Sequence, residues 1–163
     1  MPKQWEFLKD SYWYVPVAYL PALQISADGS PPTPMVDQTL WHITDYKYGY
    51  FWGNSAALLY EEGTSPTDPP SASRLVGTIT PQGKVQITFM PFNQLGPAMS
   101  TVGIGIMEES RKEWVFEMQM SAGITELVVH WAQMLPTKEG DPSWEQLPGT
   151  EYSVPEFLKA AGF

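Results

Sequence analysis

The sequence predicts an all-β protein, a single antiparallel up-and-down β-barrel of about eight strands with a short C-terminal helix. The middle of the chain consists of short segments rich in β-branched and aromatic residues, separated by turn residues, and it shows no sustained helical period. Both faces of these segments are largely apolar, which is typical of a sheet that is filled inside and covered outside. Closure into a barrel would also leave no free edge strand.

The predicted strands follow one another through tight turns, as an antiparallel meander requires. They span residues 39–46, 50–60, 73–80, 84–92, 101–110, 112–120 and 125–135. Three-residue loops ending in glycine are expected at 47–49 and 81–83, and a four-residue turn at 109–112. The first and last of these strands run in the same direction, so antiparallel closure needs one more strand. The segment "SYWYV", residues 11–15, is the expected source.

The two ends of the chain have a different character from the middle. We predict one domain, 1–163, with its strand core at about 39–134 and with residues 1–38 and 135–163 wrapped around the barrel. Prolines permit only a short helical turn in "YVPVAYLPALQ" and indicate a crossing segment at "ADGSPPTPM". Residues 61–73 form a predicted loop. A helix is predicted from the N-cap Ser153, with Glu156 completing a capping box and Gly162 as the stop.

Composition excludes several classes of function. The chain of 163 residues has no cysteine, which excludes disulfides and thiolate metal ligands. Its net charge is −9 and its basic residues are scattered, so nucleic acid is not an expected partner. No secretory signal and no apolar run of about 18 residues is present, which predicts a cytoplasmic protein without a membrane partner.

Alternation of side chains divides the predicted hairpins into two faces. In the first hairpin, one face carries His42, Thr44, Trp52 and Asn54, and the other carries Trp41, Ile43, Phe51, Gly53 and Ser55. In the hairpin around 109–112, large side chains are expected to lie over glycines, and the predicted pairs are Met107 with Trp114, Gly105 with Phe116 and Gly103 with Met118.

The aromatic and sulfur side chains predict a pocket for a small apolar or aromatic molecule inside the barrel. The expected walls are Trp52, Trp114, Phe116 and Met118, and the expected orienting groups are His42, Asn54, His130 and Arg74. The predicted architecture resembles that of lipocalins and avidins in strand number and connectivity. The Gly-x-Trp motif of classical lipocalins is absent, so the resemblance concerns architecture and implies no family membership.

Two other functions remain open from the sequence. His42 and His130 lie in strands that closure would bring to roughly 10 Å of each other, so the protein is alternatively a cofactor-independent isomerase, cyclase or lyase with a histidine as acid or base. No cofactor motif is present. A metal site is not predicted, because no third ligand has suitable spacing and Asp45 has the wrong parity relative to His42. The third alternative is a packed barrel in a homo-oligomer, with a homodimer covering the apolar outer face.

Overall fold

The computed structural model describes residues 3–92, 101–122 and 126–163. A 3-10 helix (Lys3–Leu8) precedes the strands, and two short helices, α1 (Pro142–Glu145) and α2 (Val154–Ala161), follow them. The strands are β1 (Ser11–Tyr14), β2 (Leu20–Ser26), β3 (Thr33–Lys47), β4 (Tyr50–Glu61), β5 (Ser71–Ile79), β6 (Lys84–Pro91), β7 (Thr101–Ser110), β8 (Glu113–Ala122) and β9 (Glu126–Thr137). None of the helices within these ranges has the length and apolarity needed to cross a membrane.

The strands close into an antiparallel barrel, which confirms the predicted fold class. Strands β3 to β9 pair in sequence order, and both β1 and β2 pair with β3 on one side and β9 on the other. Because β1 and β2 follow one another along the same gap, together they occupy the eighth position of the barrel. The "SYWYV" segment therefore supplies part of the closing strand, as predicted.

The boundaries of the strand core correct the sequence prediction. Strand β3 begins at Thr33 and β9 ends at Thr137, so the barrel includes residues that were expected to wrap around it. Strand β2 was not predicted, because Pro21 argued against regular structure. Pro21 is the second residue of β2, where the chain has just joined the sheet, and proline is tolerated near a strand start.

Two turns also differ from the prediction. Lys47 pairs with Tyr50 around a two-residue loop in which Tyr48 and Gly49 have positive φ angles of 56° and 89°. This is typical of a type I′ hairpin turn, in place of the expected three-residue loop. A bulge between Ile43 and Asp45 absorbs the difference, so His42 pairs with Asn54 and Leu40 with Ala56, as they would around a three-residue loop at 47–49.

The β7–β8 hairpin has a register that differs by two residues from the predicted one. Its loop is Arg111–Lys112, with φ angles of 51° and 70°, and the observed pairs are Met107–Phe116, Gly105–Met118 and Gly103–Met120. A shift of two residues leaves each side chain on its predicted face. Sulfur side chains do lie over glycines: a Cβ on Gly103 would meet the Met120 Sδ, and one on Gly105 would meet the Met118 Sδ.

The barrel interior has two halves of different character. The lower half, which is the end closed by the 3-10 helix, is packed, and the opposite, upper half is more polar. The lower half is filled by large side chains that are almost completely buried, among them Trp13, Trp41, Ile43, Phe51 and Phe116. The 3-10 helix closes this end: Trp5 and Leu8 belong to the same core, and the Trp5 Nε1 donates to the Thr80 carbonyl oxygen at 3.0 Å.

The C-terminal segment covers the outer face of β3 and β4. The second apolar cluster joins Leu40, Ala56 and Leu58 of these strands to Leu147, Val154 and Phe157. Helix α2 has the predicted capping box between Ser153 and Glu156, and Gly162 ends it with a left-handed φ of 99°. This cover explains why the outward positions of β3 and β4 are as apolar as the inward ones.

Replacing Gly77 by alanine should destabilise the barrel through packing alone. A Cβ at this position would lie 2.2 Å from the Cζ of Phe51, a fully buried ring that contacts Phe116. Overpacking of a core typically costs about 1–3 kcal/mol, and we expect that decrease in the free energy of unfolding measured in urea. A second change, Phe51→Leu, should recover part of the loss, whereas an unaltered stability of Gly77→Ala would show that the ring moves freely.

Candidate barrel cavity

The upper half of the barrel contains a cavity of about 210 Å³. Drug-sized ligands occupy roughly 300–1,000 Å³, so this space suits a smaller molecule. Its walls come from the inward positions of several strands and from Val15, the residue that follows β1. The lining residues are Val15, Asp37, Thr39, Trp41, Ser55, Ala57, Leu59, Ser71, Ser73, Phe89, Thr101, Met118, Met120, Ser121, Val128, His130, Ala132 and Met134.

Strand β3 forms one polar wall of the cavity. Asp37, Thr39 and Trp41 occupy alternate positions of this strand, so their side chains share the inner face over roughly 13 Å of strand length. Asp37 is 3 % exposed, and the Thr39 Oγ1 donates a hydrogen bond to its Oδ2 at 2.9 Å. Serines of β4 and β5 continue the polar lining next to Trp41, since Ser55 pairs with both Trp41 and Ser73.

Two buried nitrogen atoms of residues that line the cavity have no hydrogen-bond partner among the described residues. They are the Nε1 of Trp41, a residue only 1 % exposed, and the Nδ1 of His130. Leaving a buried polar group unsatisfied costs about 1–3 kcal/mol, and most buried polar groups in folded proteins are satisfied. Both residues line the cavity, but neither nitrogen atom has surface open to it, so both are unsatisfied groups within the cavity wall.

The cavity carries a carboxyl group with altered acidity. Burial raises the pKa of Asp37, while the electrostatic interaction with His130 and the hydrogen bond from Thr39 oppose that rise. Among the described residues that line the cavity, Asp37 and His130 are the only acidic or basic ones. The cavity lining therefore holds one acid whose neutral form is favoured by burial and one imidazole.

Asp37→Asn should stabilise the protein at neutral pH. Because the pKa of Asp37 is raised above its ordinary value of 3.8, the folded state binds the proton more tightly than the unfolded state. Stability is then lost as the pH rises from about 4 through the raised pKa, by about 1.4 kcal/mol for each unit of the rise. The asparagine variant keeps an acceptor for Thr39 and lacks this loss. In urea unfolding between pH 3.5 and 8, the free energy of unfolding of the variant should increase relative to that of the wild type as the pH rises. A variant less stable than the wild type at pH 7 would contradict this expectation.

The structure brings some of the residues predicted from the sequence to the barrel interior. Met118 and His130 line the cavity, and Phe116 is buried below it in the packed half. Trp114 shares the inward parity but lies at the lower end, where its ring is 5.0 Å from that of Trp5. These positions follow from the predicted faces of β8 and β9.

The other predicted residues lie on the outer surface, which corrects their expected location inside the barrel. Trp52 is 38 % exposed, Asn54 is next to it on the same outer face, and the Arg74 guanidinium lies 4.8 Å from the centre of the Phe92 ring. The reason is parity: Phe51, Gly53 and Ser55 point inward on β4, so their neighbours point outward.

His42 also faces outward, so it shares no wall with His130. Its Nε2 lies 3.0 Å from the Asp10 Oδ1, and its ring stacks on Tyr12 at a centroid distance of 4.0 Å. Tyr12 in turn packs edge-on against Trp144 at 4.8 Å. This outer histidine is held by its neighbours, whereas the inner one has an unpartnered nitrogen.

Sequence reasoning missed the polar residues of β3 that define the cavity. The predicted strand began at residue 39, which left Asp37 outside it. A signal was present, because Asp37, Thr39, Trp41 and Ile43 occupy every second position, and a carboxyl group on the same face as Trp41 and Ile43 has to be buried with them.

No group of three or more His, Asp or Glu side chains suited to hold a metal ion occurs in residues 3–92, 101–122 and 126–163. Neither a family model, nor a curated protein, nor a solved structure matches this chain. The class that fold and site define is thus a closed antiparallel β-barrel with a polar-lined interior cavity.

Proposed function

We propose that this protein binds a small apolar or aromatic molecule with one or two polar groups inside the upper half of the barrel. The observation that carries the proposal is the mixed lining of the cavity, in which the side chains of Asp37, His130, Ser55 and Ser73 lie among apolar walls. A barrel interior that served packing alone would place apolar groups there, as the lower half does.

The chemistry of the lining specifies the ligand further. Trp41, Phe89, Met118 and Met120 offer apolar and polarizable surface, which suits an aromatic ring. The hydroxyl groups of Ser55 and Ser73 can donate, which suits a ligand with an acceptor such as a carbonyl or hydroxyl oxygen. Asp37, buried in a chain of net charge −9, disfavours an anionic ligand and favours a neutral one.

The test compares two ligands of similar shape that differ in one hydrogen-bond acceptor, acetophenone and isopropylbenzene. Binding is followed by intrinsic tryptophan fluorescence and by thermal stabilisation. The wild type should bind acetophenone up to about tenfold more tightly, since a net hydrogen bond contributes about 0.5–1.5 kcal/mol. Ser73→Ala should weaken that preference while leaving the binding of isopropylbenzene.

Thr78→Ala is the matched control, because Thr78 lies on the same strand as Ser73 and faces solvent. It should retain the preference for acetophenone. The proposal is rejected if neither these two compounds nor a wider set of phenols, aromatic alcohols and ketones alters the fluorescence or the melting temperature.

A further inference from the structure

We propose that the outer face of β7, β8, β9 and β2 is the interface of a homodimer, in which two copies of this chain pack face to face around a two-fold axis. This inference concerns the outside of the barrel and does not depend on ligand binding in the cavity. Exposure, area, shape and charge each support a second copy of the chain as the occupant of this face.

The outward apolar side chains of β7, β9 and β2 are exposed, whereas the C-terminal segment covers those of β3 and β4. Trp131 is 66 % exposed and Ile104 is 55 % exposed. The exposed apolar side chains of this uncovered face are Leu23, Ile25, Val102, Ile104, Ile106, Leu127 and Trp131. Within the described residues, the uncovered face therefore lacks the kind of cover that explains the apolar outer positions of β3 and β4.

The strand register joins these side chains into one surface. Ile104 of β7 pairs with Gln119 of β8, which pairs with Trp131 of β9, so the three lie in one row across the outer face. The next row, from β7 to β2, consists of Val102, Ser121, Val129 and Leu23. Neighbouring strands are about 4.8 Å apart, so the four strands span roughly 14 Å. The uncovered face is therefore continuous.

The area of the uncovered face is in the range that a dimer needs. Its seven apolar side chains are between 36 % and 66 % exposed, which amounts to on the order of 500 Å² of apolar surface. The largest apolar patch on a typical monomer is roughly 300–600 Å² and is often functional. With the polar residues of β8 included, the face approaches the ~800 Å² that each partner buries in an interface of standard size.

The uncovered face has both a groove and a projecting side chain, which makes it complementary to itself. A groove of about 770 Å³ includes the outward Gln119 and Ser121 of β8, with Ile104 on one side and Trp131 on the other. Strands β7 and β9 are two steps apart, roughly 10 Å, which is wide enough for an indole ring. A two-fold axis places the same patch of both copies in contact, so the Trp131 ring of each copy enters the groove of the other. Tryptophan is also among the residue types that dominate the energetics of interfaces.

The distribution of charge favours this face as the contact between two copies. Each chain carries a net charge of −9, so two copies repel each other through most of their surfaces. None of the described residues that line the groove is Asp, Glu, Lys or Arg. Glu117, the next outward residue of β8 after Gln119, lies outside the groove. Depletion of charged residues in the centre of a patch is typical of protein–protein interfaces.

Sedimentation of the intact protein over a range of concentrations tests the proposal. At about 100 µM the wild type should sediment with twice the 18.3 kDa mass of one chain, and dilution should dissociate it with a dissociation constant in the micromolar range. Raising NaCl from about 50 to about 500 mM should lower that constant, because salt screens the repulsion between the two acidic chains. Ile104→Lys places a charge in the middle of the contact and should raise the dissociation constant at least about 100-fold.

Tyr50→Lys is the matched control, because it adds the same charge at a residue that is 58 % exposed and lies on β4, four strands from β8 around the barrel. It should dimerise like the wild type. Trp131→Ala is the second test of the face and should raise the dissociation constant at least about tenfold. Ile104 and Trp131 are exposed in the single chain, so the stability of the dilute monomer should stay close to that of the wild type in both variants.

Three results would overturn the proposal. A wild type that remains monomeric at about 100 µM in high salt lacks the interface, and its flotation with phosphatidylcholine vesicles would assign the face to a membrane surface instead. A dimer whose dissociation constant is unchanged in both Ile104→Lys and Trp131→Ala is held by another surface. Assemblies that grow beyond two copies contradict closure around a two-fold axis.

Discussion

Replacing Phe116 by alanine should lower the free energy of unfolding by about 3–5 kcal/mol. Phe116 is 0 % exposed and lies at the centre of the lower core. Its ring meets Trp13 edge-on at 4.6 Å, Trp41 at 5.4 Å and Phe51 at 6.2 Å. Deleting it removes its own buried surface, three aromatic contacts and the support of rings that cannot close the gap.

This loss is large relative to the 5–15 kcal/mol by which a domain is typically stable, so the variant should unfold at much lower urea concentration. Trp131→Ala serves as a control of similar chemistry on the outer face, and we expect less than about 1 kcal/mol from it. Circular dichroism and fluorescence in urea measure both. Equal, small losses would mean that the lower half of the barrel is loosely packed and can collapse around a cavity.

The position of Phe116 also illustrates which part of the architecture the sequence could predict. In the β7–β8 hairpin, two-residue alternation correctly grouped Met107, Phe116 and Met118 on one face. In the β3–β4 hairpin it correctly grouped Trp41, Ile43 and Phe51, and both groups belong to the same core. It also predicted the need for an eighth strand, because seven strands of a meander cannot close antiparallel. These inferences depend on parity and direction alone, which the hydrophobic pattern specifies well.

The sequence could not specify which face of the β3–β4 hairpin points inward. In a sheet with one face in solvent, the polar face identifies the outside. Here both faces are apolar, because one packs inside the barrel and the other packs against the C-terminal segment. Leu40, Ala56 and Leu58 face outward under the C-terminal segment. Because this cover is formed by residues about 90–120 positions away in the chain, no local pattern predicts it, and the exposed Trp52 was placed inside.

Turn chemistry explains the remaining differences. A two-residue type I′ loop is usually predicted by Asn-Gly or Asp-Gly, and the β7–β8 loop has Arg111 and Lys112 in left-handed conformations instead. In the β3–β4 hairpin, the bulge at Thr44 compensates for the shorter loop. Local sequence signals therefore gave the faces of the strands, while the registers depended on backbone conformations that those residue types adopt only rarely.

The same division applies to the candidate site. The position of His130 within a strand was enough to predict it as a candidate site residue. The absence of a partner for its Nδ1 depends on the neighbouring residues of β2 and β8, which the sequence does not specify. Asp37 was excluded by a strand boundary, since aspartate is uncommon in buried strands. A residue that departs from this expectation at a stability cost is more informative about function than one that follows it.

Replacing Ser73 by leucine should abolish ligand binding while leaving the fold intact. Ser73 lines the cavity on β5, opposite Ser55 in the neighbouring strand, and its side chain points into a space of about 210 Å³. An isobutyl group there occupies much of that volume and removes a hydroxyl group. We expect the affinity for acetophenone to fall by about 100-fold, equivalent to about 2.7 kcal/mol. Filling an empty cavity with apolar atoms commonly stabilises a protein by about 0.5–2 kcal/mol, so the melting temperature should be unchanged or higher.

Thr78→Leu is the matched control, because Thr78 lies on the same strand and faces solvent. It introduces the same side chain without entering the cavity and should bind acetophenone like the wild type. The combination of lost affinity and retained stability in Ser73→Leu is diagnostic: a ligand bound on the outer surface would be unaffected by the change, and a barrel that is already filled at this level would be destabilised by overpacking. Either of those results would locate the ligand site outside the barrel.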